Sequence, residues 1–177
     1  MAVLQGIRNF FIPSRVREFA DIRPAAPTVY LIRGLAAADL DDVLRLNYRC
    51  FENGENYTKH TISYLLSQPN AVCFQVVTAE GRMVAFLCVL VGNDCVAHIT
   101  TIGVAPEHRR RGLGAMLLDH LTAIMAERKI GSVVLEVRVG NVPAQMLYKA
   151  CGFSVVQRLS NYYNNGEDGF LMMRAVN

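Results

Sequence analysis

The chain has 177 residues, 52% of them hydrophobic and 19% charged, with a formal net charge of +3. That mix suits one packed domain and excludes a disordered chain, and the small positive excess is too weak to mark a nucleic-acid binder. No apolar run is long enough to span a membrane and the first residues lack a signal peptide's apolar core, so the chain is expected in the cytoplasm.

Residues 1–27 fit no single element. Arg8, Arg15, Arg17 and Arg23 are interleaved with Ile7, Phe10, Phe11 and Val16, and Pro13, Pro24 and Pro27 interrupt the run. The stretch reads as an extension, packed loosely on the domain or serving as a contact arm. The domain proper covers 28–177. A strand is expected at Val29–Arg33, then a helix over Ala38–Cys50 with Leu40, Val43, Leu44 and Asn47 on one stripe. Thr58 is placed to cap a second helix, Lys59–Ser67, which Pro69 stops. Strands at Ala71–Thr78, Met83–Val91 and Cys95–Val104, joined by short glycine-bearing turns, make an antiparallel meander. A long helix, Leu113–Arg128, is ended by Gly131. Then come a strand at Ser132–Val137, a short helix at Pro143–Cys151 with Gly152 after it, and strands at Phe153–Arg158 and Phe170–Ala175. This order defines an α+β domain with a mixed sheet and flanking helices.

The segment 99–121 reads ITTIGVAPEHRRRGLGAMLLDHL. It runs from strand through a proline turn and three arginines to a glycine-marked helix start. Backbone N–H groups at such a start suit an anion, best a phosphate or pyrophosphate. Gly112 and Gly114 allow close approach, and Arg109, Arg110 and Arg111 add charge at the rim. The motif lacks the Lys-Ser/Thr of a nucleotide-hydrolase loop and the glycines of a dinucleotide fingerprint.

Glu136 lies in SVVLEV, apolar enough for a central strand. A carboxylate there either pairs structurally with Arg138, two positions on, or points into a cleft as a base. Tyr148, on the short helix, offers a hydroxyl that can donate a proton. Asn141 is placed to cap that helix or to bind a ligand amide. Tyr162 and Tyr163 stand in a polar loop and are suited to wall a groove for an extended peptide. Glu167 and Asp168 nearby read equally well as solvated loop charges.

The five cysteines, Cys50, Cys73, Cys88, Cys95 and Cys151, have no zinc-ligand spacing. Three of them fall in expected strands, and the set reads as buried free thiols. His60, His98, His108 and His120 lie in separate elements, so no metal is expected.

The chain from about Val29 to Met173 resembles the GNAT N-acetyltransferases, most of all the bacterial ribosomal-protein alanine N-terminal acetyltransferases. Two segments carry the resemblance: IGVAPEHRRRGLGAMLL at 102–118, and LEVRVGNVPAQMLYKACGF at 135–153 followed by Asn161-Tyr162-Tyr163 and Glu167-Asp168. The resemblance implies the acyl-CoA N-acyltransferase fold and acetyl-CoA as donor. Arg109, Arg110, Arg111, Gly112, Leu113, Gly114 and Ala115 would wrap its pyrophosphate. Ile102, Gly103 and Val104 would border its pantetheine arm, and Asn141 would lie near that arm. Glu136 matches the family's general base and Tyr148 its general acid. Tyr162 and Tyr163 match the acceptor side, with Phe51 and Tyr57 in the earlier acceptor loop.

That earlier loop departs from the family. It reads CFENGENY where a Pro-Trp is frequent, and the chain has no tryptophan. The implied reaction is direct attack of an amine on the thioester. The implied partner is a protein or peptide N-terminus, a ribosomal protein among the candidates, acted on by a monomer or weak dimer. A small-molecule amine acetyltransferase would need no peptide groove, and a lysine acetyltransferase differs in acceptor depth. A non-catalytic acyl-CoA module would lack the pairing of Glu136 with Tyr148.

Overall fold

The computed structural model describes residues 24–26, 28–51 and 56–176. Most of the basic, proline-broken extension (1–23 and 27) therefore lies outside the described residues, as do positions 52–55 of the early acceptor loop. The strands are β1 (Tyr30–Gly34), β2 (Ala71–Thr78), β3 (Met83–Val91), β4 (Val96–Val104), β5 (Ser132–Arg138), β6 (Ser154–Leu159) and β7 (Gly169–Ala175). The helices are α1 (Leu40–Cys50), α2 (Lys59–Ser67), α3 (Leu113–Glu127) and α4 (Val142–Ala150). One sheet holds all seven strands in the order β1-β2-β3-β4-β5-β7-β6. Every neighbouring pair is antiparallel except β4 with β5. The mixed α+β sheet expected from the element order is the one found.

Local chemistry accounts for the elements. β3 is apolar along its length and buried at every position but its two ends, so both faces are covered; α1 and α3 pack on it. The Thr58 hydroxyl accepts from the Thr61 N–H at 3.1 Å and caps α2 as expected. Asn141 likewise caps α4, accepting from the Ala144 N–H at 3.2 Å. Two expectations are corrected. Cys95 is an exposed turn residue with φ 60° ahead of β4, not a buried strand thiol. After α3 the left-handed residue is Lys129, with φ 57°, and not Gly131.

Two features of β4 shape the functional face. Cys88 opposes Thr101 and Val89 opposes Ile99, which leaves Thr100 as the extra residue of a β-bulge. On its other edge β4 pairs with β5 over only three rungs, Val96 with Ser132, Ala97 with Val133 and His98 with Val134. Both strands continue beyond that point without pairing to each other, because the bulge bends β4 away.

Asn47 anchors the start of α2 to α1. It is fully buried; its Nδ2 donates to the Tyr57 carbonyl at 3.0 Å and its Oδ1 accepts from the Tyr57 N–H at 3.3 Å. Asn47→Ala leaves both backbone groups unpaired, and urea unfolding is expected to show a loss of about 1–3 kcal/mol. An unchanged midpoint would mean the two bonds are replaced by solvent.

Candidate active site

The divergence of β4 and β5 opens a cleft. Ile102 from β4, Glu136 from β5, and Asn141 and Tyr148 from α4 and its cap line it. Phe51 and Tyr57, from the segment between α1 and α2, and Tyr162 and Tyr163, from the loop between β6 and β7, complete the lining. Eight residues singled out from widely separated stretches of sequence thus share one cavity.

Glu136 sits on the half-buried face of β5. Its partner is not Arg138. The His98 Nε2–H donates to Glu136 Oε2 at 2.7 Å, with the two side chains 12% and 9% exposed. The second oxygen, Oε1, is buried and has no hydrogen-bond partner among the described residues, and the same holds for His98 Nδ1 and the hydroxyls of Thr100 and Thr101. All four residues line the cleft. Buried polar atoms are nearly always paired, so four such atoms on residues that line one cavity single the cleft out as a functional site.

Tyr148 is buried at 6% exposure yet reaches the cleft, and no hydrogen bond ties its hydroxyl to the described residues. Burial pushes its phenol well above the usual tyrosine range, with the neighbouring Cys151 adding to the effect. The hydroxyl therefore stays protonated at any working pH. Tyr57 donates its hydroxyl to the Thr100 carbonyl at 3.0 Å, so the bulge and the early acceptor loop are joined.

Arg138 serves the Tyr162–Tyr163 loop. Its guanidinium lies 3.8 Å from the centroid of the Tyr163 ring and donates to Glu167 Oε2 at 2.7 Å. Glu167 Oε1 accepts from the Gly140 N–H at 2.8 Å. Asp168 accepts from the Asn161 N–H and the Arg158 guanidinium, each at 2.8 Å. Neither acid is a solvated loop charge; together they clasp the tyrosine loop to β5 and β6.

The Gly140 amide first, and then Arg138, hold the Glu167 carboxyl below its usual range. A depressed folded pKa gives stability that is present above the unfolded value of about 4.3 and is lost as pH falls through the folded value. Acidification below about pH 4.3 is therefore expected to release the Tyr162–Tyr163 loop, read as a step in tyrosine fluorescence. Glu167→Gln should remove that step; an identical titration in the variant would assign it elsewhere.

The arginine–glycine loop follows the C-terminal end of β4, the end at which β4 and β5 part. Among the described residues no side chain caps α3, and Gly112 precedes it with φ 78°. The first-turn amides thus have neither an intrahelical acceptor nor a capping side chain, which fits an anionic group. The arginines divide differently from expectation. Arg109 donates to the Val104 carbonyl at 3.2 Å and to the Cys50 carbonyl at 3.1 Å. Arg111 donates to the carbonyls of Ala25 and Ala26 and to the Tyr30 hydroxyl. Tyr30 in turn donates to His108 Nδ1 at 2.9 Å, and burial keeps that imidazole below its usual pKa, ready to accept. Only Arg110, exposed and with φ 62°, makes no side-chain hydrogen bond among the described residues.

Two glycines answer to packing as well. A Cβ at Gly103 would stand 2.6 Å from the Phe86 ring, and one at Gly114 would stand 2.8 Å from Leu147 Cδ2. Gly103 thus seats β4 on the core, and Gly114 lets α4 approach α3. Leu113 is buried in the core and Ala115 packs against it.

The sequence reading missed His98, Thr100 and Thr101. No local pattern marks them, because the bulge at Thr100 breaks the alternation that would tie His98 to Ile102. Among the described residues no group of His, Cys, Asp and Glu forms a metal set, and no helix is long and apolar enough to cross a membrane.

Comparison with known proteins gives a consistent picture. The acetyltransferase (GNAT) family model matches residues 40–153. An N-alpha-acetyltransferase of Sulfurisphaera tokodaii is 32% identical over 167 residues, covering 88% of this chain and 97% of the relative. The [ribosomal protein bS18]-alanine N-acetyltransferase of Salmonella typhimurium is 39% identical over 102 residues, 56% of this chain and 68% of the relative. The crystal structure of the ribosomal-protein-S18-alanine N-acetyltransferase from Escherichia coli superposes with a TM-score of 0.76 at 30% identity, covering 84% of this chain and 94% of that one.

Proposed function

This chain belongs to the acetyltransferase (GNAT) family, and on that footing we propose that it acetylates the N-terminal α-amine of a protein, of the ribosomal-protein alanine type, with acetyl-CoA as donor. The observation that carries the reading is the His98–Glu136 pair, with its free carboxylate oxygen, in a cleft walled by Tyr57, Tyr162 and Tyr163. Tyrosines lining a groove suit the backbone of an extended peptide.

Acetyl-CoA supplies the activated acetyl group. Ile102, Gly103, Val104, Asn141 and the loop Arg109–Ala115 would hold it. The first-turn amides of α3 and Arg110 meet its phosphates, while Arg109 and Arg111 brace the loop from behind. Glu136 Oε1 takes the proton from the acceptor ammonium, directly or through a water. His98 holds the other carboxylate oxygen so that Oε1 faces the cleft. The Tyr148 hydroxyl donates to the sulfur as it departs. Holding amine and thioester together in one cleft supplies much of the rate.

Mass spectrometry of a peptide panel incubated with acetyl-CoA tests the reading. Acetylation is expected on the α-amine of peptides beginning with alanine and not on internal lysines. Transfer to lysine alone, or only to small amines, would overturn the choice of acceptor.

A further inference from the structure

Two thiols behind the cleft have no part in acetyl transfer. Cys73 of β2 and Cys88 of β3 are directly opposed in the antiparallel register. The pairing is continuous from Ala71 and Leu90, and the Val91 N–H donates to the Asn70 carbonyl just before it. Hydrogen-bonded and non-bonded pairs alternate along such a ladder, so Cys73 and Cys88 form a non-bonded pair. In that class the Cα atoms stand about 4.5 Å apart and the side chains project together from one face. A disulfide accepts Cα separations from about 4.4 Å to 6.8 Å, so bridging needs little backbone movement.

We propose that Cys73 and Cys88 are a dithiol modification site, which a peroxide converts to a cross-strand disulfide with Cys73 as the entry thiol and Cys88 as the resolving one. The roles follow from their surroundings. Cys73 is partly exposed, whereas Cys88 is 1% exposed in the middle of the sheet. Cys88 beside it holds the Cys73 thiol below its usual range, while the neighbouring Cys73 and burial hold Cys88 well above, so Cys88 stays protonated. A thiolate that is accessible reacts first. The Cys73 thiolate attacks an oxygen of hydrogen peroxide: an S–O bond forms, the O–O bond breaks, and the leaving oxygen departs as hydroxide, which takes up the proton released by the Cys73 thiol to become water, giving a sulfenic acid. The Cys88 sulfur then attacks the Cys73 sulfur. The S–S bond forms, the S–O bond breaks, and the thiol proton leaves with the hydroxyl as a second water. The two sulfurs lose two electrons, and the peroxide is reduced to two waters. On its other edge Cys88 opposes Thr101 of the cleft wall, so the new bond lies one strand behind the acceptor side.

The experiment uses the full chain and needs no activity, so it stands apart from the acetyl-transfer reading. The reduced protein is titrated with hydrogen peroxide, remaining thiols are alkylated with iodoacetamide, and peptides are mapped without reduction. A Cys73–Cys88 crosslink is expected, with the mass loss of two hydrogens and full reversal by dithiothreitol. In Cys88→Ser, dimedone should capture a sulfenic acid at Cys73. In Cys73→Ser, Cys88 should remain a thiol. Alkylation of both residues at peroxide levels that oxidise the exposed Cys95 would overturn the proposal, and so would crosslinks joining other cysteines. The wild-type map decides even where a serine variant fails to fold.

Discussion

Replacing Glu136 by glutamine is expected to lower kcat by about 10²–10⁴-fold, the usual contribution of a positioned general base. The substitution is nearly isosteric. The glutamine carbonyl still accepts from His98 Nε2, so the side chain keeps its place and the fold keeps its packing. What is lost is the capacity of Oε1 to take a proton. Acetyl-CoA affinity, measured by calorimetry, is expected to stay within twofold, because the proposed donor contacts lie along β4, at Asn141 and at the start of α3. This separates catalysis from architecture: a buried carboxylate that only paired with His98 would change stability and leave turnover alone. Full turnover in Glu136→Gln would transfer the role of base to His98 or to solvent.

Tyr148→Phe is expected to reduce kcat by about 10²-fold, in line with removing one donor to a developing anion. An ordinary phenol titrates about 1.5 units above an ordinary thiol, and burial lifts Tyr148 further. Complete transfer of its proton to a thiolate is therefore uphill. The hydroxyl acts by donating a strong hydrogen bond as charge develops on sulfur, and it returns to its neutral state when the product leaves. A leaving group of lower pKa needs that donation less, so the Phe variant should regain activity with an acetyl donor carrying a more acidic thiol. Equal losses for both donors would give Tyr148 a packing role against Phe153, whose ring centroid lies 6.0 Å away.

The elements were legible because punctuation and periodicity agreed along the chain. Thr58, Pro69, Asn141 and Gly152 stand where propensity puts them, and the strand and helix boundaries fall within a residue or two of expectation. The aromatic and carboxylate members of the cleft were legible from residue type: a glutamate in an apolar strand and paired tyrosines in a loop both ask for a reason. Pairing was not legible. That His98 and not Arg138 meets Glu136 depends on the parallel register of β4 and β5, which no local pattern encodes. Arg138 is drawn instead to Glu167, 29 positions away. The arginine run shows the same limit, since a guanidinium can turn inward to carbonyls as readily as outward to a phosphate. Cys95 was misread because an apolar neighbourhood hid a left-handed turn.

The three rungs joining β4 to β5 also bear on cohesion. The sheet is two half-sheets, β1–β4 and β5–β7, sewn at one end and parted at the other. The approach of Leu147 to Gly114 is a second stitch. A molecule lying in the parted end and touching both halves supplies the missing rungs from outside. Occupancy and thermal resistance are then linked: at a hundred times its dissociation constant such a molecule adds about 2.7 kcal/mol to global stability. The protein is accordingly at its most open to unfolding between turnovers, when the three rungs, the His98–Glu136 bond and the packing of α4 on α3 join its halves unaided.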